Sequence, residues 1–177
     1  NSFVASANCA LYCGATVDFV DIDPFSFNLC PVRLEMKLRQ AELEGTLPKI
    51  VVVVHFAGFP CDMAAIRALS KQFGFFIIED ASHALGASYQ DRRIGGCQHS
   101  EITVFSFHPV KIITTGEGGA AVTNDPDIRD RLRLLREHGI TRDPHSMQAR
   151  PAAEIWNYQQ VELGFNYRLT EMQAALG

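Results

Sequence analysis

The chain has 177 residues, 47% of them hydrophobic and 20% charged, with a net charge of −4 and a pI of about 5.8. That length supports one domain with a substantial core. The sequence carries no basic stripe suited to nucleic acid and no apolar run near the roughly 18 residues of a membrane helix. The cysteines at 9, 13, 30, 61 and 97 are odd in number and contain no Cys-x-x-Cys pair, and the six histidines lack zinc spacing. Reduced thiols in a cytoplasmic protein, without a metal site, are expected.

Residues 6–13 are small and apolar enough for a short helix closed by Gly14. Residues 16–21 alternate as a strand that Asp23-Pro24 breaks. Residues 31–45 predict a helix with Leu34, Leu38 and Ala41 on one stripe and Gly45 at its end. The valine-rich run 49–55 predicts a strand buried on both faces. Asp62 caps the next helix, which turns Met63, Ile66, Leu69 and Phe73 inward and stops at Gly74. Residues 75–80 are again a strand, and this alternation predicts a mostly parallel α/β sheet with helices on both faces.

Residues 87–100 are a turn-rich connection, and 102–107 and 119–124 are strands. Asp125 caps a helix with Pro126 at its first position and Ile128, Leu132 and Leu135 as its apolar stripe. Residues 140–160 are polar, with prolines at 144 and 151, and predict a long irregular connection of the kind that is functional or mobile. Thr170 to Gln173 fits a capping box opening a last helix. Gly116, Gly118 and Ala121 mimic a dinucleotide fingerprint, but a strand follows them where that motif needs a helix. They read as turn residues.

Two stretches carry candidate chemistry. Lys111 stands among Val110, Ile112 and Ile113, just beyond the strand 102–107 and before three glycines. Apolar surroundings strip water from an ammonium and favour the neutral amine, which can condense with a carbonyl. Asp80 ends a strand followed by Ala81-Ser82-His83-Ala84. In open α/β sheets ligands sit beyond the carboxyl ends of the strands. A pyridoxal phosphate site needs a lysine for the aldehyde and an acid for the pyridinium nitrogen. Lys111 and Asp80 are the two best candidates, with Glu79 a rival acid.

Glu79 to Ala84, Ser106 to Lys111 and Thr115 to Gly119 together resemble the DegT/DnrJ/EryC1/StrS sugar aminotransferases, along the whole of residues 1–177. His55 to Met63, with His138 to Arg142, looks closest to the branch that serves pseudaminic acid synthesis. The resemblance implies a fold-type I large domain and pyridoxal 5′-phosphate as cofactor. Lys111 would carry the cofactor aldehyde and act as general base and acid. Asp80 would hold the pyridine nitrogen, His83 would touch the ring and Phe3 would stack on its face. Ser106 would bind the phosphate, and Asn166 would reach the phosphate of a neighbouring subunit in a homodimer. It also implies that residues 1–177 are the central part of the large domain, with an N-terminal phosphate loop and a C-terminal small domain outside them. The reaction would move an amino group, from glutamate, to C4 of a UDP-linked 4-keto-6-deoxy sugar. A dTDP- or GDP-linked ketosugar, or a cofactor-binding paralogue without turnover, remain open alternatives.

Overall fold

The segment from Pro31 to Asp80 folds as helix, strand, helix, strand, each helix closed by the residue that stops it. The computed structural model describes residues 2–148, 154 and 156–177. Following α1 (Ala5–Tyr12), helix α2 (Pro31–Glu44) starts on a proline and ends at Gly45, which adopts φ +69°. A first-turn proline gives up an N–H that has no helical partner anyway, and glycine takes the left-handed cap without a Cβ penalty. Strand β1 (Ile50–Val54) leads through a single 3-10 turn to α3 (Met63–Phe73), whose cap Asp62 accepts from Ala65 N. Strand β2 (Phe76–Asp80) follows.

Beyond a short hairpin, β3 (Ser88–Tyr89) and β4 (Arg92–Arg93), come β5 (Ile102–Ser106) and β6 (Gly119–Val122). The sheet order is β1-β2-β5-β6, with the first three strands parallel and β6 antiparallel to β5. The mostly parallel sheet expected from the alternating pattern is therefore present.

Register assigns the faces. Val53, Glu79 and Thr103 are cross-strand partners, so they share one face with Ile77 and Phe105. Val53 and Ile77 on that face are buried under α2 and α3, where Leu34, Leu38, Met63, Ile66, Leu69 and Phe73 close the main core, while Phe105 packs in a second cluster with Ala81 and Ala84. Each fully buried side chain such as Leu38, Ile66 or Ile77 contributes about 1.5–3 kcal/mol over exposure. Val54, Asp80 and Val104 form the matching row on the other face. There α1 reaches Asp80 through Ser6, and α4 (Pro126–Arg136) lines an apolar groove together with Ile102. Ile50 and Phe76 stay exposed on this side. The β1 run is thus buried on one face only within this chain.

Two expectations need correction, and the turns expected at 87–100 take a defined form. Residues 16–21 form no ladder, and the nearest pairing is a single bridge between Ile22 and Leu29. Asp18 and Asp21 instead accept from the backbone N–H groups of Phe19 and Ile22, local bonds that compete with strand pairing. Within 87–100, Gln90 and Asp91 both take positive φ, at +48° and +61°. This is the conformation of a tight two-residue hairpin turn, made here without glycine. The connection 140–160 is not irregular at its ends: β7 (Ile140–Thr141) pairs with β8 (Gln159–Gln160). Its residues 149–153 and 155 lie outside the described residues. The last helix, α5 (Glu171–Leu176), opens with the expected Thr170–Gln173 capping box.

Candidate active site

Adjacent strand residues point to opposite faces, and this separates the two acids at the end of β2. Glu79 points into the core and is 4% exposed. Its Oε2 accepts from His55 Nε2 at 2.7 Å, and its Oε1 accepts from Ser100 Oγ and, at 3.2 Å, from Thr103 Oγ1. The backbone N–H of Cys61 donates to His55 Nδ1 at 3.2 Å. With Nδ1 accepting, the proton that His55 gives Glu79 sits on Nε2. Burial alone would raise the Glu79 carboxyl, but the bonds from His55, Ser100 and Thr103 outweigh it and hold the group below its ordinary value. Burial also pushes the neighbouring Cys61 thiol up to about 12, so it stays protonated.

Asp80 lies on the half-open face. Its Oδ1 accepts from Ser82 N at 3.1 Å and its Oδ2 from Ser6 Oγ at 2.8 Å. The turn after β2 carries His83 outward, and its Nε2 meets Lys111 Nζ at 3.0 Å. Lys111 sits on a loop closed at its base by Phe107 N to Gly118 O and Thr115 N to Phe107 O. Its apolar flanks do not bury it: Val110 and Ile112 are 78% and 60% exposed. The expected apolar setting is thus absent within this chain. The loop turns outward after β5, and the residue that meets the amine is His83.

His83 is positioned from behind by the turn after β1. His55 N donates to Asp80 O, and Gly58 (φ +82°) packs so close to the His83 carbonyl that a Cβ there would stand 2.6 Å from its oxygen. The buried Asn28 clamps this turn, accepting from Phe56 N and donating to Phe59 O. Asn28, Gly58 and His55 escaped the sequence reading as site supports. Only the period-two rule, applied to Glu79 and Ile77, could have flagged the buried carboxylate.

Ser106 shares the Asp80 face, two residues beyond Val104 on the adjacent strand. Its Oγ accepts from His108 N at 3.4 Å, an acceptor role that leaves the O–H proton for a ligand. Phe3 precedes α1 and its ring is 75% exposed. Its carbonyl accepts from Ser6 N, one turn from the Asp80 contact. Asn166 bonds to none of these groups, although Leu169, three residues on, packs near Gly118 and Thr115 of the Lys111 loop. Asn166 bridges Glu137 at the end of α4 and is exposed, while the flanking Phe165 and Tyr167 rings stack on each other. The chain thus gathers Asp80, His83, Ser106 and Lys111 at the carboxyl ends of β2 and β5, with Phe3 nearby.

The model of DegT/DnrJ/EryC1/StrS aminotransferases matches residues 1–177. The chain belongs to this family. It is 41% identical over 177 residues to the UDP-4-amino-4,6-dideoxy-N-acetyl-beta-L-altrosamine transaminase of Campylobacter jejuni, a match covering 99% of this chain and 43% of that protein. GDP-perosamine synthase of Caulobacter vibrioides is 39% identical over 176 residues, covering 99% and 42%. The solved structure of Helicobacter pylori PseC, an aminotransferase involved in the biosynthesis of pseudoaminic acid, is similar with a TM-score of 0.84 and 35% identity, covering 99% and 42%. The chain therefore spans less than half the length of these relatives.

Aminotransferases of the DegT/DnrJ/EryC1/StrS family depend on pyridoxal 5′-phosphate. The donor set at the strand ends suits that group. It offers a solvent-accessible amine beside an imidazole, a carboxylate at a strand terminus and a free hydroxyl proton on the neighbouring strand. Among the described residues no cluster suits a metal ion, and no helix is long and apolar enough to cross a membrane.

Proposed function

We propose that the protein is a pyridoxal phosphate-dependent aminotransferase acting on a nucleotide-linked 4-keto-6-deoxy sugar. The meeting of Lys111 and His83 at the strand edge that also presents Asp80 carries this reading. When bound, the cofactor supplies an electron sink for breaking the Cα–H bond of the amino donor. Lys111 binds the cofactor aldehyde, then takes the donor proton and returns it, with His83 fixing the amine within 3.0 Å. Asp80 holds the proton on the pyridine nitrogen, Ser106 donates to the phosphate and Phe3 covers the ring face. A cytoplasmic setting agrees with five free cysteines.

The acceptor proposed is a UDP-linked 4-keto-6-deoxy-N-acetylhexosamine, with glutamate as donor. The 41% identity to the altrosamine transaminase and the likeness to PseC support it. A GDP-linked ketosugar is the second reading, since GDP-perosamine synthase is nearly as similar at 39%. UDP, dTDP and GDP ketosugars should be offered to the full-length protein side by side with glutamate. Amination of the UDP substrate is expected. Amination of only a dTDP or GDP substrate moves the protein to another branch of the family.

We propose further that Asn166 serves the site of a partner subunit in a homodimer. Its exposed side chain, which bonds none of Asp80, His83, Ser106 or Lys111 within this chain, supports this reading. Lys111→Ala and Asn166→Ala variants, each poorly active alone, should regain activity when mixed and re-associated. Mixed dimers restore one site with both residues, so recovery toward about a quarter of wild-type activity is expected from random pairing of equivalent two-fold sites. Mixed dimers confirmed by mass but no more active than the parents would refute shared sites.

A further inference from the structure

We infer that Ser6 is a positioning residue of the cofactor site, acting through Asp80. This inference rests on the proposed role of Asp80. The Ser6 hydroxyl donates to Asp80 Oδ2 across 74 residues of chain at 2.8 Å, while Ser82 N donates to Oδ1. Two donors on opposite oxygens fix the carboxylate rotamer. A carboxylate has about four lone-pair sites, so both oxygens keep room for a ligand proton. The Ser2 hydroxyl stands 2.8 Å from Ser6 Oγ and extends the chain of hydroxyls.

Helix α1 has no buried residue, so apolar packing holds it weakly. The Ser6 bond is a specific tie between this helix and the end of β2. Through Ser6 N to Phe3 O the same turn also sets Phe3. One residue, through its hydroxyl and its backbone N–H, therefore links the acid that would face the ring nitrogen to the aromatic residue that would cover the ring.

The experiment compares Ser6→Ala, Ser6→Thr, Asp80→Asn and the Ser6→Ala/Asp80→Asn double variant in the full-length protein. Cofactor affinity is read by fluorescence titration, and ring immobilisation by the visible circular dichroism of bound cofactor. Hydrogen bonds to charged groups imply roughly a tenfold weaker dissociation constant for Ser6→Ala, with a smaller dichroic band. Ser6→Thr keeps the hydroxyl and should stay near wild type. Alanine is the better helix former, so unfolding of the cofactor-free protein should move little, which separates positioning from a folding defect. In the Asp80→Asn background, Ser6→Ala should add no further loss. Unchanged affinity and dichroism in Ser6→Ala, or losses that multiply in the double variant, overturn the role of Ser6 alone. Unchanged cofactor binding in Asp80→Asn overturns the underlying reading with it.

Discussion

Lys111→Ala is expected to lower turnover of the full-length protein by at least about a thousandfold, since general acid–base catalysis alone contributes roughly 10²–10⁴ and the covalent attachment point is lost as well. The fold should survive. The loop's shape comes from backbone bonds at its base, Phe107 N to Gly118 O and Thr115 N to Phe107 O, and from Thr114 Oγ1 to Phe107 O. None involves the lysine side chain. Borohydride reduction of the wild-type holoenzyme, followed by peptide mass mapping, should place the pyridoxyl label on Lys111. Lys71 is the useful control because it lies in the last turn of α3, the helix packed on the opposite sheet face. A label on Lys71, or near wild-type turnover in Lys111→Ala, would show that another amine does this work.

Glu79→Ala should destabilise the protein by about 3 kcal/mol or more, because three buried donors share this one acceptor. The substitution leaves His55 Nε2–H, Ser100 O–H and Thr103 O–H without their shared acceptor. Each unsatisfied buried donor costs about 1–3 kcal/mol. Against a typical total of about 5–15 kcal/mol, this is a drop in unfolding temperature of roughly 10 °C or more. The effect has a defined pH window. The folded carboxyl lies below its ordinary value of 4.5, so its stabilisation is fully present above that value. It is lost as pH falls through the lower, folded value. Glu79→Gln has no charge to titrate, so its stability should fall less steeply over that acid range than wild type. Equal unfolding midpoints for wild type and Glu79→Ala, or parallel acid limbs for wild type and Glu79→Gln, would show that the network carries little of the stability.

The positive-φ caps at Gly45 and Gly74, the side-chain caps at Asp62 and Asp125 and the Thr170–Gln173 box were all legible in the sequence, because each is closed within a few residues. Strand periodicity was also legible. It already implied that Glu79 shares the face of Ile77 and that Asp80 does not, which weighs against the rival acid. The motifs around Asp80 and Lys111 sufficed for family membership. The strand expected at 16–21 failed for a reason that strand propensity omits. A ladder needs a partner, and the local bonds of Asp18 and Asp21 took the backbone groups first.

Only the tertiary structure decided how the site is built. Lys111 meets His83 across 28 residues and Ser6 meets Asp80 across 74. Such pairs arise from sheet register and from where a turn such as Phe56–Gly58 packs, and no local pattern encodes either. Apolar neighbours in sequence likewise implied a buried lysine, whereas the outward turn after β5 leaves Val110 and Ile112 in solvent. Local hydrogen bonding and side-chain periodicity act over one or two turns of chain, so the sequence by itself determined the elements and their faces. The distances between functional groups depend on how those elements pack, and that was settled only when the sheet assembled.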